Sequence, residues 1–349
     1  MNYQIITQNN DCPQTYINKK TIKDFLKLKG INIVDNSNNK IIISCLLHDV
    51  PFNSLLFELT KNQFNNIIVY GCIDDAFKNN WQYKVKNIIN ENNIPFNISS
   101  ECSYPIFNTA IAIKINTGCH GKCSFCRLGN RENVSFFEKD IIKEIKKYSF
   151  EYPFILFSND CSAYNQNLIT LINKILITYP EIKLAINSCS QYYFLKHKNE
   201  FYNLLTSGKL IGMGLSIQSG CNEILKNMNR NSIDKCLGKT LLDIKKNLPK
   251  DSYIYSEFIF GYPNETIENL YESLNFALNF THIMWYRYFA VNNTKTYNNY
   301  PKILIGKDYS SIIEKFGIQN NYNTKIIKAH ESISNFPGAI KKYKWIIKK

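Results

Sequence analysis

A chain of 349 residues, 44% hydrophobic and 20% charged, can bury a substantial core, which excludes a disordered chain. Its length fits two domains, or one large barrel plus an extension, and no apolar run reaches the roughly 18–20 residues of a membrane span. The net charge of +14 admits an acidic partner such as RNA, but only Arg127, Arg131, Arg230 and Arg287 among the 42 basic residues are arginine. Phosphate readers favour the bidentate arginine fork, so compositional drift in a Lys- and Asn-rich chain is the competing reading.

The opening Met1-Asn2-Tyr3-Gln4-Ile5-Ile6-Thr7 lacks the basic start and apolar middle of a signal peptide, so a cytoplasmic protein without a membrane partner is expected. The eleven cysteines, an odd number, then point to metal binding or chemistry rather than a disulfide framework.

In chain order, Ile5–Thr7 reads as a strand. Residues 20–29 read as a helix, with Ile22, Phe25 and Leu26 on one face and Gly30 as its stop. Ile41–Cys45 reads as a strand, 52–59 as a helix, and Ile67–Tyr70 as a strand ending at Gly71-Cys72. Continuous apolar strands alternating with helices predict a parallel sheet covered on both faces, an α/β domain of Rossmann or flavodoxin-like kind over residues 1–100. Cys45 and Cys72 end strands, and Cys12 follows the first one. In an open parallel sheet these positions share the ligand-binding edge, and the three together suggest a second metal site.

The polar stretch 90–103 reads as a linker. Strands are then expected at 110–115, 154–157, 183–187, 212–217, 253–260 and 282–289. Helices are expected at 138–148, 166–178, 191–206, 221–246 (with a break near Asn231) and 266–280. Six βα repeats are too few for a closed eight-stranded barrel and predict a partial (β/α)6 barrel over residues 105–295, with its functional face at the C-terminal strand ends. Residues 296–349 form a short Asn- and Lys-rich extension with one helix near 310–316. Its terminal lysines read as a solvated tail.

The sharpest motif is Cys119-His120-Gly121-Lys122-Cys123-Ser124-Phe125-Cys126, just after the first barrel strand. Three thiolates on one loop can hold three irons of a 4Fe–4S cube and leave the fourth open. An open iron can chelate the amino and carboxylate groups of S-adenosylmethionine, and one electron then splits the sulfonium to a 5′-deoxyadenosyl radical. A zinc site is the rival, but His120, adjacent to Cys119, is awkwardly placed to close it. Gly118 and Gly121 let the backbone wrap closely.

Several segments resemble the radical-SAM methylthiotransferases, across about residues 1–295. They are Ile115–Cys126, Arg131–Ser135, Asn159–Tyr164 (in the version of the ribosomal-protein-modifying branch), Leu215–Gly220 with Leu225–Arg230, and Phe258–Thr266. The resemblance makes residues 105–295 the radical-SAM core. It also implies a second 4Fe–4S cluster on Cys12, Cys45 and Cys72, hence two clusters plus S-adenosylmethionine. The implied reaction replaces C–H with C–S–CH3 on a tRNA base or on a protein or peptide residue, with a flavodoxin or ferredoxin as electron donor. Family members usually end in a small RNA-binding β-barrel, which 296–349 is expected to lack. The alternative is another radical-SAM enzyme with an auxiliary cluster, acting on a peptide or small-molecule precursor.

Beyond the cysteines, Gln218 at a strand end is a candidate contact for S-adenosylmethionine or substrate. Asp160 either contacts the cofactor or caps a helix. Asn187 shares that ambiguity, Phe125 either packs on adenine or shields the cluster, and Ile259 and Phe260 approach adenine if the barrel closes. Cys102, Cys161, Cys189, Cys221 and Cys236 share no spacing and read as core or incidental.

Overall fold

The computed structural model describes residues 2–7, 13–44, 66–71, 97–104, 107–126, 133–288, 312–313 and 325–328. The chain divides into two compact units, Met1–Ile113 and Lys114–Lys349. Parallel pairing dominates both, as the apolar strands require.

In the first unit, β1 (Asn2–Thr7), α1 (Pro13–Leu28), β2 (Asn32–Ile33), β3 (Asn39–Ser44) and β4 (Asn66–Gly71) build a parallel sheet of order β2-β1-β3-β4. Tyr3, Ile41 and Ile43 of the sheet share one core with Ile22, Phe25 and Leu26 of α1, the helical face expected from spacing. The helix begins at Pro13, well before residue 20, because its first turns bury polar side chains. Gln14, Thr15 and Asn18 are all buried, and Gln14 Nε2 donates to Asn18 Oδ1 at 2.7 Å. Gly30, at φ +65°, closes the helix as anticipated: Ile31 N–H donates to Leu26 O and Gly30 N–H to Lys27 O, the paired bonds of a left-handed helix stop.

The expected linker is partly a strand. β5 (Ser99–Tyr104) pairs antiparallel with β6 (Phe107–Lys114), Cys102 standing opposite Ala110. Ser99 and Ser100 are buried there, since a serine is small enough to enter a sheet once the ladder satisfies its backbone. The predicted helix at 52–59 lies outside the described residues.

The second unit opens with a two-stranded ribbon, β7 (Asn116–Thr117) and β8 (Val134–Ser135), followed by α2 (Glu138–Ile145). Then come β9 (Phe154–Phe157), α3 (Leu168–Thr178), β10 (Leu184–Cys189), α4 (Gln191–Lys196), α5 (Lys198–Thr206) and β11 (Leu210–Gln218). After them come α6 (Asn222–Asn227), α7 (Lys235–Asn247), β12 (Tyr253–Phe260), α8 (Ile267–Phe280), β13 (Ile283–Tyr288) and β14 (Lys325–Lys328). Strands β9 to β14 lie side by side in chain order, all parallel. Every residue of β9 and β10 is buried, which explains their unbroken apolar reading.

The helix expected at 191–206 is split where His197 leaves helical geometry between α4 and α5, while the break expected near Asn231 falls between α6 and α7, with Asn229 at φ +54° in that turn. Strand β14 falls in the stretch expected to be irregular; four residues are too few for a periodic signal.

Two features shape the C-terminal end of this sheet. Side chains at Gly212 and Gly214 would overlap the rings of Tyr253 and Tyr255, so the glycines let both tyrosines lie across β11. The β11–β12 register also shifts between Leu215 and Gln218, a bulge that leaves Gln218 at φ +75°. Bulges of this kind re-aim side chains beside functional sites.

Candidate functional site

The cysteine loop hangs from the end of β7. Gly118, at φ +77°, turns the chain into it. A Cβ built on Gly121 would lie 3.2 Å from Cys119 Sγ and 3.5 Å from Cys123 Sγ, so the two sulfurs close around this position. Gly121 N–H donates to Cys119 Sγ at 3.2 Å, and Cys126 N–H to Cys123 O at 3.1 Å, which curls the third cysteine back onto the second. None of the three is in a disulfide, and all three are partly exposed. Burial pushes the Cys119 thiol up to about 11, with the Asp160 carboxylate and then the Cys126 and Cys123 sulfurs adding to the effect.

Bound iron would reverse that balance, because a cation stabilises the thiolate. Among the described residues no three His, Cys, Asp or Glu side chains converge on a point that suits a single metal ion.

Residues far along the chain hold the loop. Ser124 N–H donates to Met228 O at 3.0 Å, and Asn229 Nδ2 donates to Lys122 O at 2.8 Å. Ser124 Oγ donates to Asn227 O at 2.9 Å, and Tyr262 Oη lies 2.7 Å from Ser124 Oγ and 3.0 Å from Asn227 O. Arg230 Nη1 donates to Cys123 Sγ at 3.4 Å, while its Nη2 donates to Ser216 O on β11. Gly220 brings the turn after β11 against α8: a Cβ there would lie 2.5 Å from Ser273 Cα, and its N–H donates to Ser273 Oγ at 2.8 Å. The segments 225–230 and 258–266, singled out in the sequence, thus reach the cysteine loop, and 215–220 is tied to it through Arg230. Ser124, Tyr262 and Arg230 carry most of that contact. Each stood inside a noted motif, but nothing local marked it as a partner of the loop.

Two hydroxyl pairs lie at neighbouring strand ends. Ser162 Oγ donates to Ser190 Oγ at 2.9 Å, Ser188 Oγ lies 2.6 Å from Ser216 Oγ, and Ser188 Oγ donates to Asn159 O at 3.5 Å. Asp160 takes the capping posture and also stands beside the cysteine loop. Its Oδ1 caps the short turn Cys161–Ala163 by accepting from Ser162 N–H at 2.9 Å, and its Oδ2 lies 3.8 Å from Cys119 Sγ. Asn187 is buried and accepts from Tyr255 Oη on both its backbone and side-chain oxygens.

Gln218 is 3% exposed, and its Oε1 has no hydrogen-bond partner among the described residues. A buried amide oxygen left unpaired costs about 1–3 kcal/mol, which a donor on a bound ligand would recover. Phe125 is partly exposed between its two flanking cysteines. Ile259 and Phe260 are buried within β12, where Phe258 and Phe260 stack at 6.0 Å. Cys161, Cys189 and Cys221 are buried and Cys236 is exposed. Cys12, Cys45 and Cys72 lie outside the described residues. No helix among the described residues is long and apolar enough to cross a membrane.

Residues 113–277 match the Radical SAM superfamily model. The ribosomal protein uS12 methylthiotransferase RimO of Thermodesulfovibrio yellowstonii is 23% identical, over 90% of this chain and 82% of its own length. A probable threonylcarbamoyladenosine tRNA methylthiotransferase of Archaeoglobus fulgidus is 28% identical over 48% of this chain and 41% of its own. Among solved structures, the cobalamin-dependent S-adenosylmethionine radical enzyme OxsB aligns at a TM-score of 0.48 and 12% identity, over 99% of this chain and 66% of that one. The family implies a 4Fe–4S cluster and S-adenosylmethionine, and the chain is a radical-SAM superfamily enzyme related to the methylthiotransferases.

Proposed function

We propose that this chain is a methylthiotransferase that inserts sulfur and methyl into a C–H bond of a protein or peptide residue. The similarity to a ribosomal-protein methylthiotransferase over nine-tenths of the chain carries this reading; the similarity to the tRNA enzyme spans under half. In it, residues 1–100 form a flavodoxin-like domain whose Cys12, Cys45 and Cys72 hold an auxiliary 4Fe–4S cluster. Residues 105–295 form a partial (β/α)6 radical-SAM barrel, and 296–349 form an extension.

Cys119, Cys123 and Cys126 hold the first cluster. When bound, it supplies the electron that cleaves S-adenosylmethionine. Gly121 keeps the space between two of its ligands clear. Gln218 offers its unpaired amide oxygen to a donor on S-adenosylmethionine or substrate. Asp160 orients the loop beside Cys119, and Phe125 covers the cysteine loop on its solvent side. Asn187, braced by Tyr255, and Ile259 with Phe260 line the adenosine side. A flavodoxin- or ferredoxin-type protein delivers electrons.

The test is mass spectrometry of products after anaerobic incubation of the reconstituted protein with S-adenosylmethionine and dithionite. Recombinant uS12 and total tRNA serve as parallel substrates. A gain of one sulfur plus one CH2 on uS12 is the expected outcome. The same gain on tRNA alone would move the substrate to RNA. Formation of 5′-deoxyadenosine with neither product would favour a different radical-SAM reaction.

A further inference from the structure

We propose that Arg230 is a positioning residue that sets the reduction potential of the cluster held by the cysteine loop. This rests on the cluster reading above. Arg230 Nη1 donates to Cys123 Sγ at 3.4 Å and its Nη2 donates to Ser216 O, so one planar guanidinium bridges a thiol of the loop and the backbone of β11. The bridge is anchored at both ends. Ser216 belongs to the bulged stretch that leads to Gln218, while Arg230 N–H donates to Leu225 O at 2.9 Å, within the turn that also holds Ser124 and Lys122. Arg230 is partly buried, which limits screening of its charge by water.

Arginine keeps its proton at any accessible pH and has no acceptor capacity, so it can only donate to the sulfur. Hydrogen bonds to cluster sulfurs and nearby charge are established means of tuning potential. A cation beside Cys123 favours the state carrying one more electron, and it therefore raises the potential. The step concerned is a one-electron reduction of the cluster from the 2+ to the 1+ state by an external low-potential reductant. No bond forms or breaks, and the guanidinium gives up no proton.

The experiment compares wild type, Arg230→Gln and Arg230→Lys after anaerobic reconstitution. Iron is counted, and the reduced-cluster EPR signal is followed through a dithionite titration with redox mediators. Expected are unchanged iron content and a reduction equilibrium at least tenfold less favourable in Arg230→Gln, a shift of about 59 mV to more negative potential. Arg230→Lys, which keeps the charge but loses the fork, should fall between. Equal potentials in wild type and Arg230→Gln would overturn the proposal. So would loss of iron in both variants, which would make Arg230 a structural strut. Wild-type protein that binds no cluster on this loop would instead overturn the cluster reading itself.

Discussion

The hydroxyls of Ser124 and Tyr262 and the carbonyl of Asn227 form a triangle with edges of 2.7, 2.9 and 3.0 Å. Each hydroxyl has one proton, so two protons serve three edges. Ser124 donates to Asn227 O and Tyr262 to Ser124, or Tyr262 donates to Asn227 O and Ser124 to Tyr262, or both hydroxyls donate to the carbonyl. Removing one hydroxyl by Tyr262→Phe or Ser124→Ala leaves the other free to satisfy the carbonyl. Each single variant should therefore lose about 1 kcal/mol, one net hydrogen bond. Removing both leaves the carbonyl with neither hydroxyl, adding about 1 kcal/mol at this partly buried position. The double variant should thus be destabilised by about 3 kcal/mol, more than its two halves together. Urea denaturation of the four proteins measures this cycle. Additivity within roughly 0.5 kcal/mol would refute the shared network. The same variants should release iron to a chelator faster in proportion to the lost stability, since Ser124 lies inside the cysteine loop.

Other positions give independent checks. Gly220→Ala drives a methyl against the α8 backbone, which cannot yield as a flexible side chain would, and should cost about 1–3 kcal/mol by thermal or urea denaturation. Asn167 caps α3 through Oδ1, accepting from Ile169 and Thr170 N–H, while sitting at φ +70°. Asn167→Ala loses the cap and adds left-handed strain, a loss of about 2 kcal/mol, whereas Asn167→Gly should lose less. Burial, and then the charge of Lys245, lowers the His282 pKa to about 4. The unfolded chain binds this proton more readily, so the contribution is present above pH 6.5 and lost as pH falls toward 4. Because His282 is only part-buried and solvent screens part of the shift, stability should fall by about 1 kcal/mol between pH 7 and 5 from this group, and His282→Gln should flatten that slope. An unchanged slope would remove His282 from the account.

Much of the second unit was legible because its strands are apolar along their whole length and alternate with helices in a regular βα rhythm. Elements whose burial is polar were harder to read. The early turns of α1 bury Gln14, Thr15 and Asn18, and β5 buries two serines, so hydropathy missed both. The cysteine loop was legible as a local motif. Its support was not, because Arg230 and Asn229 reach it from 107 residues away, and spacing along a chain carries no information about such contacts. The Gln218 strain had a visible cause only in the register: the one extra residue of the β11 bulge appears once β11 and β12 are paired.

The most direct test of the central claim counts iron and labile sulfide per chain after anaerobic reconstitution, in wild type and in a variant with Cys119, Cys123 and Cys126 all changed to alanine. Two 4Fe–4S clusters require about eight irons, falling to about four in the variant. About four irons falling to about none would leave the radical-SAM cluster but remove the auxiliary one, and equal iron in both proteins would contradict the assignment of the cysteine loop altogether.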